Sequence, residues 1–202
     1  VKVVLAHPKK LRVIAESTRK SDKLDDQVLA EFLALDMIPA SYRPTPRQRD
    51  HRRLVRQRDS IQRRITSVKN RMRWILASYN ADRPDLFRGS VLTELAKFPL
   101  SPADRSAMRQ HQEELLFHRQ QLAQANQELK EFVKSSPPRE QEWRELLRTI
   151  PGVGFVTAEV VLAEIADIQR FSSAKQVSAY AGLSPGERES GGKSHQLHIE
   201  KN

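Results

Sequence analysis

Arg47–Asn80 reads RQRDHRRLVRQRDSIQRRITSVKNRMRWILASYN. It carries eleven positive side chains against two negative ones, Asp50 and Asp59, so eleven minus two leaves nine of the chain's net ten positive charges here. Its apolar residues recur at Leu54, Ile61, Ile65, Val68, Met72 and Ile75, mostly alternating three and four apart. That is the spacing of a helix that lays one face on another helix. The remaining faces are crowded with like charge, which repels itself unless a polyanion lies along it. The stretch therefore predicts a long helix with an apolar seam on one side and a phosphate-binding surface on the other.

The same spacing returns downstream at Met108, His111, Leu115, His118, Leu122, Ala125, Leu129 and Phe132. Between the two segments stand Asp82-Arg83-Pro84, a short apolar run from Leu86 to Phe98, and the breakers Pro99 and Pro102. A connection of this kind folds the second helix back on the first, which predicts an antiparallel coiled-coil arm about 45 to 50 Å long. Such an arm also suits self-association into a dimer or higher homo-oligomer. His111 and His118 lie seven residues apart, about 10.5 Å along one helix, too far to share a metal easily, so they are expected to fix the register of the seam.

Outward from the arm, Val1–Leu5 reads as a β-branched strand ended by His7-Pro8, with no visible partner. A short amphipathic segment spans 9–19, and a helix starting at Ser21 or Asp22 runs to Leu35 with Leu24, Val28, Phe32 and Leu35 on one face. Residues 37–46, with prolines at 39, 44 and 46, form a linker. Beyond Ser135-Ser136-Pro137-Pro138, a helix over 140–149 meets Ile150-Pro151-Gly152-Val153-Gly154 and then a helix over 155–166. This is a helix-hairpin-helix pattern: Gly152 and Gly154 let the backbone approach a phosphate, and the following helix start offers its amides. A tight helical turn with no ligand fits the same residues. A last helix is expected over 173–180, a loop over 182–186, and the most flexible point of the tail at Glu189-Ser190-Gly191-Gly192-Lys193. The divisions follow as 1–38, 39–138 and 139–202, in a mainly α chain.

Composition narrows the class. The 202 residues are 38% hydrophobic and include no cysteine, which excludes disulfides and thiolate zinc sites. No run of 18 apolar residues and no charged-then-apolar leader is present, so no membrane partner is expected and a cytoplasmic setting is. Asp22 and Asp25 taken alone read as an N-cap and a first-turn acid. Ser190-Gly191-Gly192 taken alone reads as a flexible loop. His195 and His198 beside Ser190 suggest a hydrolase-like or metal arrangement, but no orienting acid and no third ligand accompany them.

The last sixty residues carry a resemblance. Thr149-Ile150-Pro151-Gly152-Val153-Gly154, Thr157-Ala158, Ala163-Glu164-Ile165-Ala166-Asp167-Ile168 with Phe171, Tyr180-Ala181-Gly182-Leu183-Ser184-Pro185 and Glu189-Ser190-Gly191-Gly192-Lys193 follow in that order. The string resembles the C-terminal domain of bacterial insertion-sequence transposases of the DEDD-plus-serine type, which use a bridge RNA to choose DNA. Lys20-Ser21-Asp22-Lys23-Leu24-Asp25-Asp26 resembles the acidic motif that ends their RuvC-like, RNase H-fold domain, and a coiled coil lies between the two domains in that family.

The resemblance implies an enzyme: a DNA recombinase, associated with the bacterial nucleoid, whose partners are DNA, a guide RNA and other copies of itself. It makes Ser190 the nucleophile and Asp22 and Asp25 two of four acidic residues that hold Mg²⁺. The first two acids would precede Val1, and the family continues beyond Asn202, so the chain is expected to be part of a longer protein and inactive alone. Arg188 and Lys193 are then expected to neutralise the reacting phosphate, and Arg56, Arg63 and Arg64 to grip nucleic-acid backbone along the arm. Two rival readings stand beside it: a non-catalytic nucleic-acid-binding scaffold of arm and hairpin, and a metal-only resolvase-like nuclease in which the serine is incidental.

Overall fold

A computed structural model describes residues 3–7, 11, 22–88, 98–184, 187–190 and 193–196. The chain forms two compact units, Val1–Pro46 and Arg47–Asn202.

In the first unit α1 spans Asp22–Ala34, in accord with the helix expected there. It ends in a Schellman motif: Asp36 takes the left-handed conformation at φ 54°, its N–H reaches Leu33 O, and Met37 N–H reaches Phe32 O at 2.8 Å. Of the expected apolar face, Phe32 is half-buried and Leu35 is exposed. The strand expected over the first five residues is not formed among the described ones. A single antiparallel bridge, Ala6 with Ala40, takes its place, flanked by His7 N–H to Pro39 O (2.8 Å) and Ser41 N–H to Leu5 O (2.6 Å). The partner is the proline-bearing linker, and Pro39 and Pro44 lack the N–H groups that a longer ladder would need. The amphipathic segment expected over 9–19 lies outside the described residues, apart from Leu11.

The second unit is built on two long helices, α2 (Pro46–Ala77) and α3 (Pro102–Lys134). They run antiparallel, because early residues of α2 meet late residues of α3. Arg58 Nε donates to Asn126 Oδ1 at 2.8 Å, Arg71 Nη2 to Glu114 Oε1 at 2.9 Å, and Tyr79 OH, just past α2, to Asp104 Oδ2 at 2.5 Å. The predicted seam is the core: Ile61, Ile65, Val68, Met72 and Ile75 are buried against Met108, Leu115 and Ala125, with Leu122 packed at the edge. Leu54 instead joins a second cluster of Val55, Leu129 and Ala163. At the far end Leu86 and Leu100 close over the core, and α3 starts with Pro102 in its first turn behind Ser101, whose hydroxyl accepts from Asp104 N–H. Of the apolar run expected over 86–98, positions 89–97 lie outside the described residues.

At the other end of the pair, α4 (Pro138–Arg148) and α5 (Phe155–Ile165) make a helical hairpin. A 3-10 turn at Ile168–Arg170 and α6 (Ala174–Tyr180) follow. The tail then differs from expectation. Glu187–Ser190 (β1) and Lys193–Gln196 (β2) pair antiparallel, so Ser190 ends a strand rather than sitting in a free loop. The physical reason is the two-residue Gly191-Gly192 connection, a composition suited to the tight turns that join hairpin strands. No helix among the described residues is long and apolar enough to cross a membrane.

Candidate functional site

The arginines of α2 differ in what they meet. In its first turns Arg47, Arg52 and Arg56 hold the C-terminal helices. Arg52 donates from Nε to the carbonyl of Ala163 at 2.7 Å and from Nη2 to that of Glu164 at 2.8 Å, occupying acceptors that the end of α5 leaves open. Arg56 makes a two-pronged pair with the Glu164 carboxylate, both bonds 2.8 Å. The hydrogen bond from Arg56 holds the Glu164 carboxyl below the usual carboxylate range, against the opposing effect of burial. Arg56, expected to grip a nucleic-acid backbone, is thus engaged with α5.

Other arginines of α2 face solvent without a partner on another described helix. Arg49 and Arg64 are exposed and have no ion pair among the described residues. Arg63 is paired only with Asp59 one turn back on its own helix, at 2.7 Å, with 82% of its side chain exposed. Exposed pairs of this type contribute about 0 to 1 kcal/mol, so Asp59 holds Arg63 only weakly. Arg63 and Arg64 are both exposed, on a run without an acid from Arg63 to Ser78.

Between α2, α4 and α5 lies a buried charge network that sequence reasoning did not find. Arg144 Nε bonds Glu159 Oε1, its Nη2 reaches Glu159 Oε2 at 3.1 Å, and Glu140 Oε1 lies 3.1 Å from the same nitrogen. Arg47 Nε donates to Glu140 Oε2 at 2.9 Å, and its guanidinium sits 4.2 Å from the Phe132 ring centre. Ser136 Oγ lies among these groups, 3.0 Å from Glu140 Oε1. Burial alone would raise the Glu159 carboxyl, but contacts from His51 and Arg144 outweigh it and hold the group below its ordinary range. Glu140 is held low in the same way, by Arg47.

His51 Nε2 lies 3.1 Å from Glu159 Oε2 without the alignment of a hydrogen bond. One donor atom each from His51, Glu140 and Glu159 fall within 4.8 Å of one another, a spacing open to a cation. The charge does not suit one. Each carboxylate already carries a guanidinium, so two anions and two cations balance, and a divalent ion would be an unpaired buried charge. The cluster joins three helices.

The glycine turn is well formed. Val153 N–H bonds Ile150 O at 3.0 Å, with Pro151 and Gly152 at the corners and Gly152 at φ 86°, the type II arrangement that favours glycine at its second corner. Gly154 caps α5 in extended conformation, and a side chain added at either glycine would meet nothing within 4 Å. The approach to this helix start is open.

At the hairpin, the strand register places Ser190 opposite Lys193 and Arg188 opposite His195. Alternation along β1 puts positions 188 and 190 on one side of the strand. In the first unit, Asp22 opens α1 and Asp25 follows three residues on, so the two positions share a face. Both histidines of α3 meet Glu114: His111 Nδ1 at 3.4 Å and His118 Nε2 at 3.7 Å, with Arg71 on the same carboxylate. They belong to a polar node of the helix pair.

Comparison with known proteins bears on the C-terminal helices and the hairpin. Residues 144–202 match the model of the "Transposase IS116/IS110/IS902 family". The chain is 28% identical over 192 residues to the transposase for insertion sequence element IS1111A of Coxiella burnetii, covering 91% of this chain and 50% of that protein. It is 29% identical over 208 residues to the transposase for insertion sequence element IS1328 of Yersinia enterocolitica, covering 98% of this chain and 58% of that protein. The chain thus spans about half the length of the curated relatives it matches, and the segment that carries Ser190 is similar to a transposase domain.

Proposed function

We propose that this chain is the arm and serine-bearing part of an insertion-sequence transposase, acting on DNA with a bridge RNA as guide. The match of residues 144–202, which contain Ser190, to a transposase family model carries the reading. In this reading the Ser190 oxygen attacks a DNA phosphorus. A bond from serine to phosphorus forms as the strand's own oxygen leaves with a proton, and a second strand's hydroxyl later reverses the exchange. One phosphoester replaces another throughout, so rejoining needs no nucleotide cofactor. Lys193 stands opposite Ser190 in the strand register and Arg188 two residues before it, and in this reading both would neutralise charge on the pentavalent phosphorus.

Asp22 and Asp25, on one helix face, would hold Mg²⁺, which supplies further neutralisation of phosphate oxygens when the acidic set is complete. Gly152 and Gly154 open α5 to a phosphate, in the manner of a helix-hairpin-helix. Arg63 and Arg64 take backbone phosphates along the arm, and the arm's paired helices serve as a surface for self-association.

The test is a covalent adduct. With the chain extended to the length of its relatives and supplied with guide RNA, target DNA and Mg²⁺, a protein–DNA species resistant to denaturant is expected with Ser190 and absent with Ser190→Ala. Strand exchange at an undiminished rate in the alanine variant would remove the serine mechanism and favour a metal-only nuclease.

A further inference from the structure

Trp74 is out of keeping with its helix. It lies beside buried Ile75, yet 74% of it is exposed, and no described ring or guanidinium stacks on it. At 100° per residue it projects roughly opposite Ile65, away from the seam. On the same outward stripe, three or four residues apart, stand Arg63, Ser67 and Asn70, all exposed. An indole costs little there only while it remains a small solvated patch, and a chain with just two tryptophans places one of them there.

The surroundings select the partner. A protein-docking face would gather several large apolar side chains around the indole, and the exposed residues nearest Trp74 along the chain are Asn70, Arg71, Ala77 and Ser78. Positive charge, small hydrogen-bonding groups and one bare aromatic ring are what a single-stranded nucleic acid uses: phosphates follow the cations and a base lies on the ring. A duplex keeps its bases stacked inside and offers this ring nothing comparable. From Arg63 to Trp74 the rise is about 16 Å, the reach of a few nucleotides.

We propose that Trp74 is a stacking platform for an unpaired base of a strand whose phosphates lie against Arg63 and Arg64. The proposal rests on the reading of α2 as a phosphate-binding helix.

The experiment uses Trp143→Phe, which leaves Trp74 as the sole indole and retains an aromatic ring beneath Arg139, now 4.7 Å from the Trp143 ring centre. Single-stranded oligouridylate should quench its fluorescence strongly and duplex DNA weakly. Trp74→Ala should weaken oligouridylate binding roughly five- to a hundredfold at unchanged salt slope, with duplex affinity unaltered, and Trp74→Phe should retain most of the binding. An alanine variant that binds oligouridylate as its parent does overturns the stacking role. Loss of self-association in that variant, with oligouridylate binding intact, reassigns Trp74 to a protein contact. If the parent's oligouridylate affinity is insensitive to salt, the phosphate-binding reading of α2 fails and this inference with it. A normal salt slope with no effect at Trp74 overturns the inference alone.

Discussion

Arg144 of α4 and Glu159 of α5 illustrate how single residues hold the two C-terminal helices to each other. Both side chains are more than nine-tenths buried, and each is the other's principal neutralising partner. Arg144→Ala leaves Glu159 buried with one fewer guanidinium, a change expected to cost about 3 to 5 kcal/mol. The double variant Arg144→Met with Glu159→Leu removes both charges and should cost less than the single one. Chemical denaturation decides the point, and a double variant worse than the single would mean that the pair is not the organising contact.

The pH dependence follows from the same group. Because the Glu159 carboxyl is held below its ordinary range, its stabilising contribution is complete above the unfolded value of about 4.3 and is lost as pH falls through the lowered folded value. Thermal stability of the parent should therefore decline as the solution is acidified from about pH 5. Glu159→Gln should be less stable at neutral pH and show a shallower decline, with a residual slope from Glu140 and Glu164, which are also held low. The two glycines of the turn separate fold from binding. Gly152→Ala forces alanine to φ 86° and should destabilise, while Gly154→Ala, at φ −84° with open space around it, should fold normally. If a phosphate approaches the start of α5, Gly154→Ala weakens duplex binding at unchanged thermal stability, and equal binding would leave this turn a purely structural corner.

At the scale of elements, the helix pair was legible because its signal is local and repeated. Ile61, Ile65, Val68, Met72 and Ile75 follow the helical period without any knowledge of the partner, and Met108, Leu115 and Ala125 do the same on the facing helix. The buried charge network was not legible, since Arg47, His51, Glu140, Arg144 and Glu159 come from three helices and each resembles an ordinary solvated residue in its own. The division of the arginines was hidden for the same reason: Arg56 and Arg63 are both helical arginines seven residues apart, and only the seating of α5 distinguishes them. The hairpin that carries Ser190 leaves a signal, the Gly191-Gly192 step between two short runs, which on composition alone suggests flexibility. Leu115, fully buried in the seam, tests the element directly. Leu115→Ala should cost about 2 to 5 kcal/mol, and Leu122→Asp, at the seam's edge, should lower helicity or open the pair. Unchanged melting in both would show that the two helices do not depend on each other.

For the whole molecule, α2 has two tasks. Its first turns bind the α4–α5 hairpin through Arg47, Arg52 and Arg56, and its middle presents Arg63 and Arg64 to solvent. Under the proposed function, a helix that seats the serine-bearing segment at one end and collects nucleic acid along its length couples where DNA lies to where chemistry occurs. The salt dependence of duplex DNA binding tests this division most directly, comparing Arg63→Gln with Arg64→Gln as a double variant against Arg56→Gln alone. The double variant should lower the slope of log affinity against log salt by up to about two units, at about 0.9 for each phosphate no longer neutralised, and Arg56→Gln should leave the slope unchanged while reducing stability. A slope unaltered in the double variant, or reduced by Arg56→Gln as much as by either outer arginine, would contradict that division.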